Sequence, residues 1–283
     1  MNAIEFGRQL VETADLDPIY VMLNRAPIDW DTKARFCLAY WMFYHAGVAA
    51  RLAEPDEDFW DGVWLAQDNK WPRGTERRHF KAKNSENAID HMMKWLQDRN
   101  TDSPEVLVGW LIKGDGAYAP PVPYTEIRDR VMTLVGFGPW IAFKVADMID
   151  AVLETEVSFQ GAEQHFFDDP LKGGCWVAMQ TMGMTFDQIT FTDRYKSAAP
   201  AVRMVNLKAA LNYLASELGT MVCPHNPTRT LRLQEYETIL CKYKSHLNGH
   251  YEVGKDTKEI SKALEEWQSK CQLAGILREA LNQ

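Results

Sequence analysis

The sequence lacks several features that would mark a secreted, membrane-spanning or metal-caged protein. It has five cysteines in 283 residues, all widely separated and with no C-x-x-C pair. Such a set favours buried free thiols over a disulfide framework or a zinc cage, so we expect no metal site. No apolar run approaches the roughly 20 residues that cross a bilayer, and the first residues lack the order of a signal peptide. We therefore expect a cytoplasmic protein with no membrane partner.

The sequence also lacks a net positive charge, since its formal charge is −8. This balance argues against a protein that coats nucleic acid through bulk electrostatics, but it leaves room for a local basic cleft. Two basic clusters are present, one within 73–83 and one formed by Lys242, Lys244 and His246. Both could bind nucleic acid, and both could equally be solvated charged faces.

Strand signals are scarce, whereas apolar residues recur with helical spacing along most of the chain. The segment 32–53 is too rich in apolar and aromatic residues for one amphipathic face, which predicts a central buried helix. We predict an all-α fold with helices at 3–13, 32–53, 56–68, 84–98, 103–112, 124–134, 139–153, 201–217, 230–245 and 256–280.

Proline and glycine residues suggest the organisation of the chain. The stretch 114–123 predicts an extended loop that leads into the helix at 124–134. A second break near 223–227 separates a charged helical tail. We predict a helical core over 1–222 and a C-terminal helical extension over 223–283 that packs on it.

A helix-hairpin-helix pattern lies near 124–153. Gly136 and Gly138 permit positive φ and close backbone approach, and Pro139 suits the first turn of the second helix. The amides at that helix start favour an anion, which in nucleic acid would be a backbone phosphate. A glycine-rich turn between two packed helices, with no ligand, explains the pattern equally well.

Arginines are concentrated in the segment 71–80, where aromatic residues stand at both ends. Arg73, Arg77 and Arg78 lie beside His79. Guanidinium groups bind phosphate in two-pronged geometry, so the segment suits a phosphorylated ligand. An ordinary surface loop is the alternative.

Polar residues interrupt apolar segments at three further places in the chain. His45 follows the aromatic run and could be either a hydrogen-bonded core side chain or a catalyst. Lys144 and Asp147 share a helical face, which could be simple i,i+3 pairing. Asp168 and Asp169 precede a proline and could cap a helix, act as a general base or bind a cation.

The hairpin followed by acidic residues resembles the helix-hairpin-helix DNA glycosylases, all-α enzymes that flip a base out of duplex DNA. Where those enzymes carry a catalytic aspartate, this sequence has Val157-Ser158-Phe159-Gln160, and the acids come later. Lys144 lies inside the second hairpin helix and does not match the lysine of bifunctional glycosylases. The resemblance therefore implies the fold and argues against ordinary base excision.

The sequence more closely resembles the amino acid:DNA transferases of phage thymidine hypermodification, also called α-glutamyl/putrescinyl thymine pyrophosphorylases. This family is a divergent branch of the same superfamily. The segments that carry the resemblance are 39–49, 71–80, 136–148, 167–170 and 241–246.

The resemblance implies a substitution on a DNA base. A separate kinase phosphorylates 5-hydroxymethyluracil, and the transferase replaces the phosphate or pyrophosphate with the amine of an amino acid or of putrescine. We expect no cofactor, with Mg²⁺ as an open alternative, and a location in the host cytoplasm if a phage encodes the protein. The expected partners are DNA that contains phosphorylated 5-hydroxymethyluracil and a small amine or amino acid.

Side-chain chemistry suggests roles in such a reaction, which needs cations on the leaving group, a base for the amine and aromatic walls that exclude water. The leaving-group candidates are Arg73, Arg77, Arg78 and Lys144. The catalytic candidates are Asp168, Asp169, His45 and His79, together with Lys144 and its neighbour Asp147. The DNA-binding candidates are Gly136, Gly138, Trp140, Lys242, Lys244 and His246.

Two other functions remain open. A monofunctional glycosylase that acts on a modified pyrimidine would use the same hairpin with an acidic residue. A non-catalytic DNA-binding protein would use the hairpin for phosphate contacts alone.

Overall fold

The protein is described by a computed structural model over residues 1–55, 58–74, 82–116, 119–166, 168–182 and 200–283. These residues form fourteen α-helices, one 3₁₀ turn and four very short strands, which confirms the predicted all-α class. The helices are α1 (Ala3–Glu12), α2 (Pro18–Arg25), α3 (Trp30–Phe43), α4 (Ala46–Leu52), α5 (Phe59–Asp68), α6 (Ala82–Gln97), α7 (Pro104–Lys113), α8 (Tyr124–Met132), α9 (Pro139–Val152), α10 (Asp168–Met182), α11 (Pro200–Leu218), α12 (Leu233–Leu247), α13 (Lys255–Glu265) and α14 (Gln272–Leu281).

The four strands pair into two short ladders of two strands each. β1 (Val122–Pro123) pairs in parallel with β2 (Val157–Ser158), and β3 (Val222–Cys223) pairs antiparallel with β4 (Asn226–Thr230). The 3₁₀ turn covers Ala162–His165. Each ladder is too short to form a sheet with its own core, so packing between helices provides the hydrophobic burial.

The chain divides into two compact units. The first unit comprises Met1–Pro18 and Gly161–Thr257, and the second comprises Ile19–Gln160 and Lys258–Gln283. The predicted boundary near residue 223 falls within the first unit, at the β3–β4 hairpin. The division into a core and a C-terminal extension stays a prediction.

In the first unit, α10 packs on α11 and α12, and α1 packs on α12. The fully buried carboxylate of Asp15 holds the segment after α12 in place. It accepts hydrogen bonds from the Tyr251 hydroxyl at 2.5 Å, the Gly254 amide at 2.6 Å and the Thr257 amide at 2.9 Å. These bonds offset the cost of removing a charge from water.

In the second unit, α9 is a largely buried helix, as is α3. Helix α9 packs against α8 and α3, and ten of its fourteen residues are buried. Side chains from other segments reach its C-terminal turns: Asn24 donates to the Ala151 carbonyl at 2.8 Å, and the Trp41 indole lies 3.0 Å from the Met148 sulfur. A helix that is apolar nearly all round needs such a surrounding layer.

The predicted single helix at 32–53 is wrong, because it consists of α3 and α4. Tyr44 adopts the left-handed conformation (φ 51°, ψ 37°), and its amide donates to the Tyr40 carbonyl at 2.7 Å to end α3. A left-handed residue cannot continue a right-handed helix. His45 then caps α4, so the chain changes direction between the two residues.

The predicted helix at 256–280 is also wrong, because α13 and α14 are separate. The Cys271 sulfur accepts from the Ala274 amide at 3.4 Å, and the Glu54 carboxylate accepts from the Leu273 amide at 2.7 Å. These side chains satisfy the amides of a new helix start, which periodicity alone does not reveal. Two helices, α2 and α10, were not predicted, and the predicted helix at 230–245 begins three residues before α12, since Thr230 still belongs to β4.

Within the described part of the chain, the structure contains no helix that is long and apolar enough to cross a membrane.

We predict that Gly47→Ala destabilises the second unit. A Cβ atom at Gly47 would lie 2.4 Å from both the Ala263 carbonyl oxygen and Cδ1 of Trp267. Backbone and a buried ring cannot both move away cheaply, so we expect a loss of about 1–3 kcal/mol in unfolding free energy.

Gly109→Ala is the matched control, because a Cβ there meets nothing within 4 Å. This helical position should gain up to about 1 kcal/mol. Urea unfolding followed by circular dichroism measures both variants, and equal midpoints for the two would contradict the close approach at Gly47.

Candidate active site

Three of the predicted site residues lie on one face of α9. Trp140, Lys144 and Asp147 are spaced by four and three residues, so each sits about one turn above the last. Asp147 is buried, whereas Trp140 and Lys144 are half-buried. The face therefore runs from a buried carboxylate, through a cation, to a partly exposed indole near the start of the helix.

The predicted pairing of Lys144 with Asp147 is confirmed, and Tyr20 of α2 joins it. The Lys144 ammonium lies 3.6 Å from Asp147 Oδ2 and 4.4 Å from the centre of the Tyr20 ring. The Tyr20 hydroxyl donates to the same carboxylate oxygen at 2.5 Å. Asp147 is only 3% exposed, so losing either partner would leave a buried charge uncompensated, and the pair holds the ammonium in place.

The left-handed turn at Tyr44 places the rings of Tyr40 and Tyr44 near this face of α9. The Tyr44 ring lies 6.0 Å from Trp140 in an edge-to-face arrangement and 4.7 Å from Tyr40. Tyr44 and Trp140 are both half-buried, so this aromatic edge is accessible to a ligand. Flat rings of this kind can stack on a base or exclude water from a reacting centre.

His45 is the N-cap of α4. Its Nδ1 accepts from the Val48 amide at 3.2 Å. Burial lowers the pKa of His45, partly opposed by the charge of Glu266. In the neutral ring Nδ1 is already an acceptor, so Nε2 carries the proton and His45 offers a donor rather than a free base.

Arg73 sits beside the C-terminus of α3. Its guanidinium lies 4.6 Å from the centre of the Phe43 ring and bonds to the Gln67 side chain. The Gly74 amide donates to the Phe43 carbonyl at 2.9 Å, and a Cβ on Gly74 would lie 2.4 Å from the Tyr44 carbonyl oxygen. Burial lowers the pKa of Arg73, but from a value so high that the group stays cationic.

The predicted hairpin joins α8 to α9, and the two helices pack together. Gly136 has φ of +88°, which a side chain rarely permits, and the Phe137 amide bonds back to the Leu134 carbonyl. Gly138 is the N-cap of α9, with no side-chain cap bond, and a Cβ added there would meet nothing within 4 Å. The N-cap of α9 therefore has open space beside it at this position.

The second basic cluster lies in the first unit. The Lys242 ammonium lies 2.7 Å from Asp256 Oδ2 and also contacts the Asp15 carbonyl. The His246 ring stacks on Phe6 at 4.8 Å, and Lys244 is half-buried on the same helix. Lys242 and His246 thus hold structural contacts, and DNA binding by the three residues stays a prediction.

Several predicted residues lie outside the described residues. Arg77, Arg78 and His79 follow Gly74 in the chain, and the side chains of Asp168 and Asp169, at the start of α10, are likewise not described. Within the second unit, Tyr44 contacts Trp140, which shares one face of α9 with Lys144 and Asp147. Arg73 packs on Phe43, and His45 follows Tyr44 at the start of α4.

Sequence reasoning did not single out Tyr20 or Gln67. Tyr20 is 127 residues from Asp147, and nothing in its neighbourhood signals the contact. Gln67 lies on α5, only six residues before Arg73, and its polar side chain near a predicted phosphate-binding segment was an available signal.

A profile of the amino acid:DNA transferase family matches residues 11–251, which include Tyr20, Arg73 and the face of α9 that carries Trp140, Lys144 and Asp147. The chain belongs to the amino acid:DNA transferase family. Two curated relatives agree with this membership. One is a "Glycinyltransferase" of Pseudomonas phage PaMx11, 34% identical over 98% of this chain and 94% of the relative. The other is a "Putrescinyltransferase" of Delftia phage PhiW-14, 25% identical over 92% of this chain and 77% of the relative.

Membership makes this chain a transferase that acts in DNA modification, which confirms the predicted family and enzyme class. It does not favour the glycosylase or the non-catalytic DNA-binding alternative. For this amino acid:DNA transferase, the cationic and aromatic groups of the second unit become the candidate active site.

We predict that His45→Ala lowers the unfolding free energy of the transferase by about 1 kcal/mol at pH 7.5, because the cap of α4 is lost. His45→Asn should restore most of it, since an amide oxygen can accept from the Val48 amide. Urea midpoints for the three proteins measure the effect.

The dependence of the unfolding free energy on pH through His45 has a definite sign. The pKa of His45 is lower in the folded protein, so the unfolded chain binds the proton more readily. The wild type should therefore lose stability relative to His45→Asn as the pH falls through and below 6.5. A difference that is constant from pH 7.5 to 5.5 would argue against a buried neutral imidazole.

Proposed function

We propose that this transferase replaces the phosphate or pyrophosphate on the 5-methylene carbon of phosphorylated 5-hydroxymethyluracil in DNA with an amine. The names of the two relatives support this, since they describe transfer of glycinyl and putrescinyl groups, and both parent compounds carry a primary amine. Both relatives are phage proteins, which supports a reaction on phage DNA in the host cytoplasm.

The bond changes define what the site must supply. A carbon–nitrogen bond forms at the 5-methylene carbon, the carbon–oxygen bond breaks, and phosphate or pyrophosphate leaves with the electron pair. The amine loses one proton to a base. Negative charge grows on the leaving oxygen, so positioned cations lower the barrier.

One observation carries the proposal: the Lys144 ammonium is held by a buried carboxylate next to an accessible aromatic edge. A cation fixed in this way needs no reorganisation when charge develops on a leaving group. We assign Lys144 and Arg73 to the leaving phosphate, and Asp147 and Tyr20 to positioning Lys144. Arg77 and Arg78 remain further candidates from the sequence.

The aromatic edge fits the base. We propose that Trp140 or Tyr44 stacks on the thymine-like ring once it leaves the duplex, because a flipped base loses stacking that an aromatic side chain can replace. Nearby rings also exclude water, which would otherwise compete with the amine for the methylene carbon.

The DNA backbone and the proton acceptor complete the proposal. We assign one phosphate to the open start of α9, where the geometry at Gly136 and Gly138 permits close approach. For the proton of the amine we retain Asp168, Asp169 and His79. His45 is better suited to donate a hydrogen bond through Nε2, because its Nδ1 caps α4.

We predict that Lys144→Ala reduces turnover by about 10²–10³-fold, the effect of removing one positioned charge from a developing anion. Lys144→Arg should recover part of the loss. Lys113→Ala, which removes an exposed lysine from the end of α7 in the same unit, is the matched control and should keep full activity.

The assay uses DNA that contains 5-(pyrophosphoryloxymethyl)uracil or its monophosphate, incubated with glycine, other amino acids and putrescine. Mass spectrometry of the released nucleosides should show a thymidine skeleton that carries one amine. Free base with an abasic site would replace the proposal by glycosylase activity. Tight binding of this DNA with no product from either substrate or any amine would contradict the transfer reaction.

A further inference from the structure

Three potential metal ligands converge in the first unit, separately from the site described above. Cys223 ends β3, His225 lies two residues later in the hairpin turn, and Glu235 is in the first turn of α12. Their ligand atoms all lie within 4.8 Å of one another. Cys223, His225 and Glu235 are close in sequence, so their proximity alone indicates little. The distances between their three ligand atoms carry the argument for a metal site.

The three distances approach those between ligands around one tetrahedral ion. Cys223 Sγ lies 3.2 Å from His225 Nε2, His225 Nε2 lies 3.4 Å from Glu235 Oε1, and Cys223 Sγ lies 3.9 Å from the same oxygen. Zinc bonds of about 2.3 Å to sulfur and about 2.0–2.2 Å to nitrogen or oxygen give tetrahedral edges of about 3.3–3.6 Å. Small side-chain adjustments would therefore seat one ion among all three atoms.

The donor chemistry also selects a class of metal. A thiolate, an imidazole and a carboxylate together suit Zn²⁺ better than Mg²⁺ or Ca²⁺, which prefer oxygen ligands alone. Thiolate and carboxylate charges offset the charge of a divalent ion. All three residues are buried, with 0%, 4% and 1% of their surfaces exposed for Cys223, His225 and Glu235 respectively.

The surroundings already orient the carboxylate. Glu235 Oε2 accepts from the Arg232 amide at 2.6 Å and from Arg229 Nη1 at 3.0 Å, which turns Oε1 toward the cysteine and histidine. Ligands in metal sites are typically held by such outer hydrogen bonds. Arg229 Nη2 lies 2.8 Å from Oε1 and 3.4 Å from His225 Nε2, so an ion would replace these two contacts and leave those at Oε2.

We propose that Cys223, His225 and Glu235 bind a Zn²⁺ ion that fastens the β3–β4 hairpin to the start of α12. Binding releases the thiol proton of Cys223 to solvent, uses His225 with Nε2 unprotonated, forms Zn–S, Zn–N and Zn–O bonds, and retains one water of the hydrated ion as the fourth ligand. Because the ligands are buried and come from two elements, the ion stabilises the first unit.

The test uses untagged, full-length protein. Apoprotein is prepared by unfolding with a chelator and refolding, and it is then titrated with Co²⁺, which reports its ligands by absorption. One Co²⁺ per chain should give visible tetrahedral bands and a near-ultraviolet thiolate band, Zn²⁺ should abolish both, and Zn²⁺ should raise the melting temperature.

Variants assign the ligands. Cys223→Ser should remove the thiolate band, and His225→Ala and Glu235→Gln should weaken Co²⁺ binding by at least about tenfold. Cys241→Ser is the matched control, since this half-buried thiol of α12 bonds to Glu237 rather than to the three ligands.

The wild-type spectrum keeps the proposal falsifiable even where a variant does not fold. Folded wild-type protein that gains no Co²⁺ absorbance and no thermal shift with excess Zn²⁺ would show that the cluster binds no metal and keeps its contacts with Arg229 and the Arg232 amide. A thiolate band that survives in folded Cys223→Ser, or that disappears in Cys241→Ser, would place the metal elsewhere.

Discussion

The candidate active site depends on one buried charge, the carboxylate of Asp147, which α9 places among apolar side chains. A lone carboxylate in this position would be strongly unfavourable, so the Tyr20 hydroxyl and the Lys144 ammonium that contact it are structural requirements. The Tyr20 hydroxyl ties α2 to α9, and the Lys144 ammonium is drawn against the same oxygen. The contact that compensates the buried charge of Asp147 in α9 is therefore the same contact that fixes the Lys144 ammonium in place.

A second constraint is the left-handed backbone at Tyr44. It ends α3, allows His45 to cap α4 and leaves the Tyr44 ring against Trp140. Gly74 then approaches the same turn, too closely for a side chain, and its neighbour Arg73 packs on Phe43. A non-glycine residue in this conformation costs on the order of 1 kcal/mol, and the packing around it provides the compensation. The aromatic edge and its neighbouring arginine are thus consequences of one break in a helix.

The sequence predicts some structural elements and contacts of this protein and not others. Helix class, the hairpin between α8 and α9 and the Lys144–Asp147 pair follow from local spacing, since a helical face or a Gly-x-Gly-Pro turn is encoded within a few residues. The breaks at Tyr44 and Cys271 do not, because both segments keep apolar residues at helical spacing across the break, whereas the left-handed backbone at Tyr44 and the Glu54 contact at Leu273 are set by the fold. Tyr20 escapes prediction for the same reason, as its partner is 127 residues away. The arginine-rich segment around Arg73 is predicted from the sequence as a phosphate-binding candidate, while the packing of Arg73 on Phe43 required the fold.

The sequence by itself determined the all-α class, the absence of a long apolar span in the described chain, the hairpin glycines and, through the segments that resemble amino acid:DNA transferases, the family. These properties reside in composition and in short patterns that survive without a fold. The tertiary structure decided which charges are held and which atoms meet: Tyr20 with Asp147, Tyr44 with Trp140, and Cys223 and His225 with Glu235. Such contacts join residues by packing distance rather than by spacing along the chain, so only the folded protein defines them.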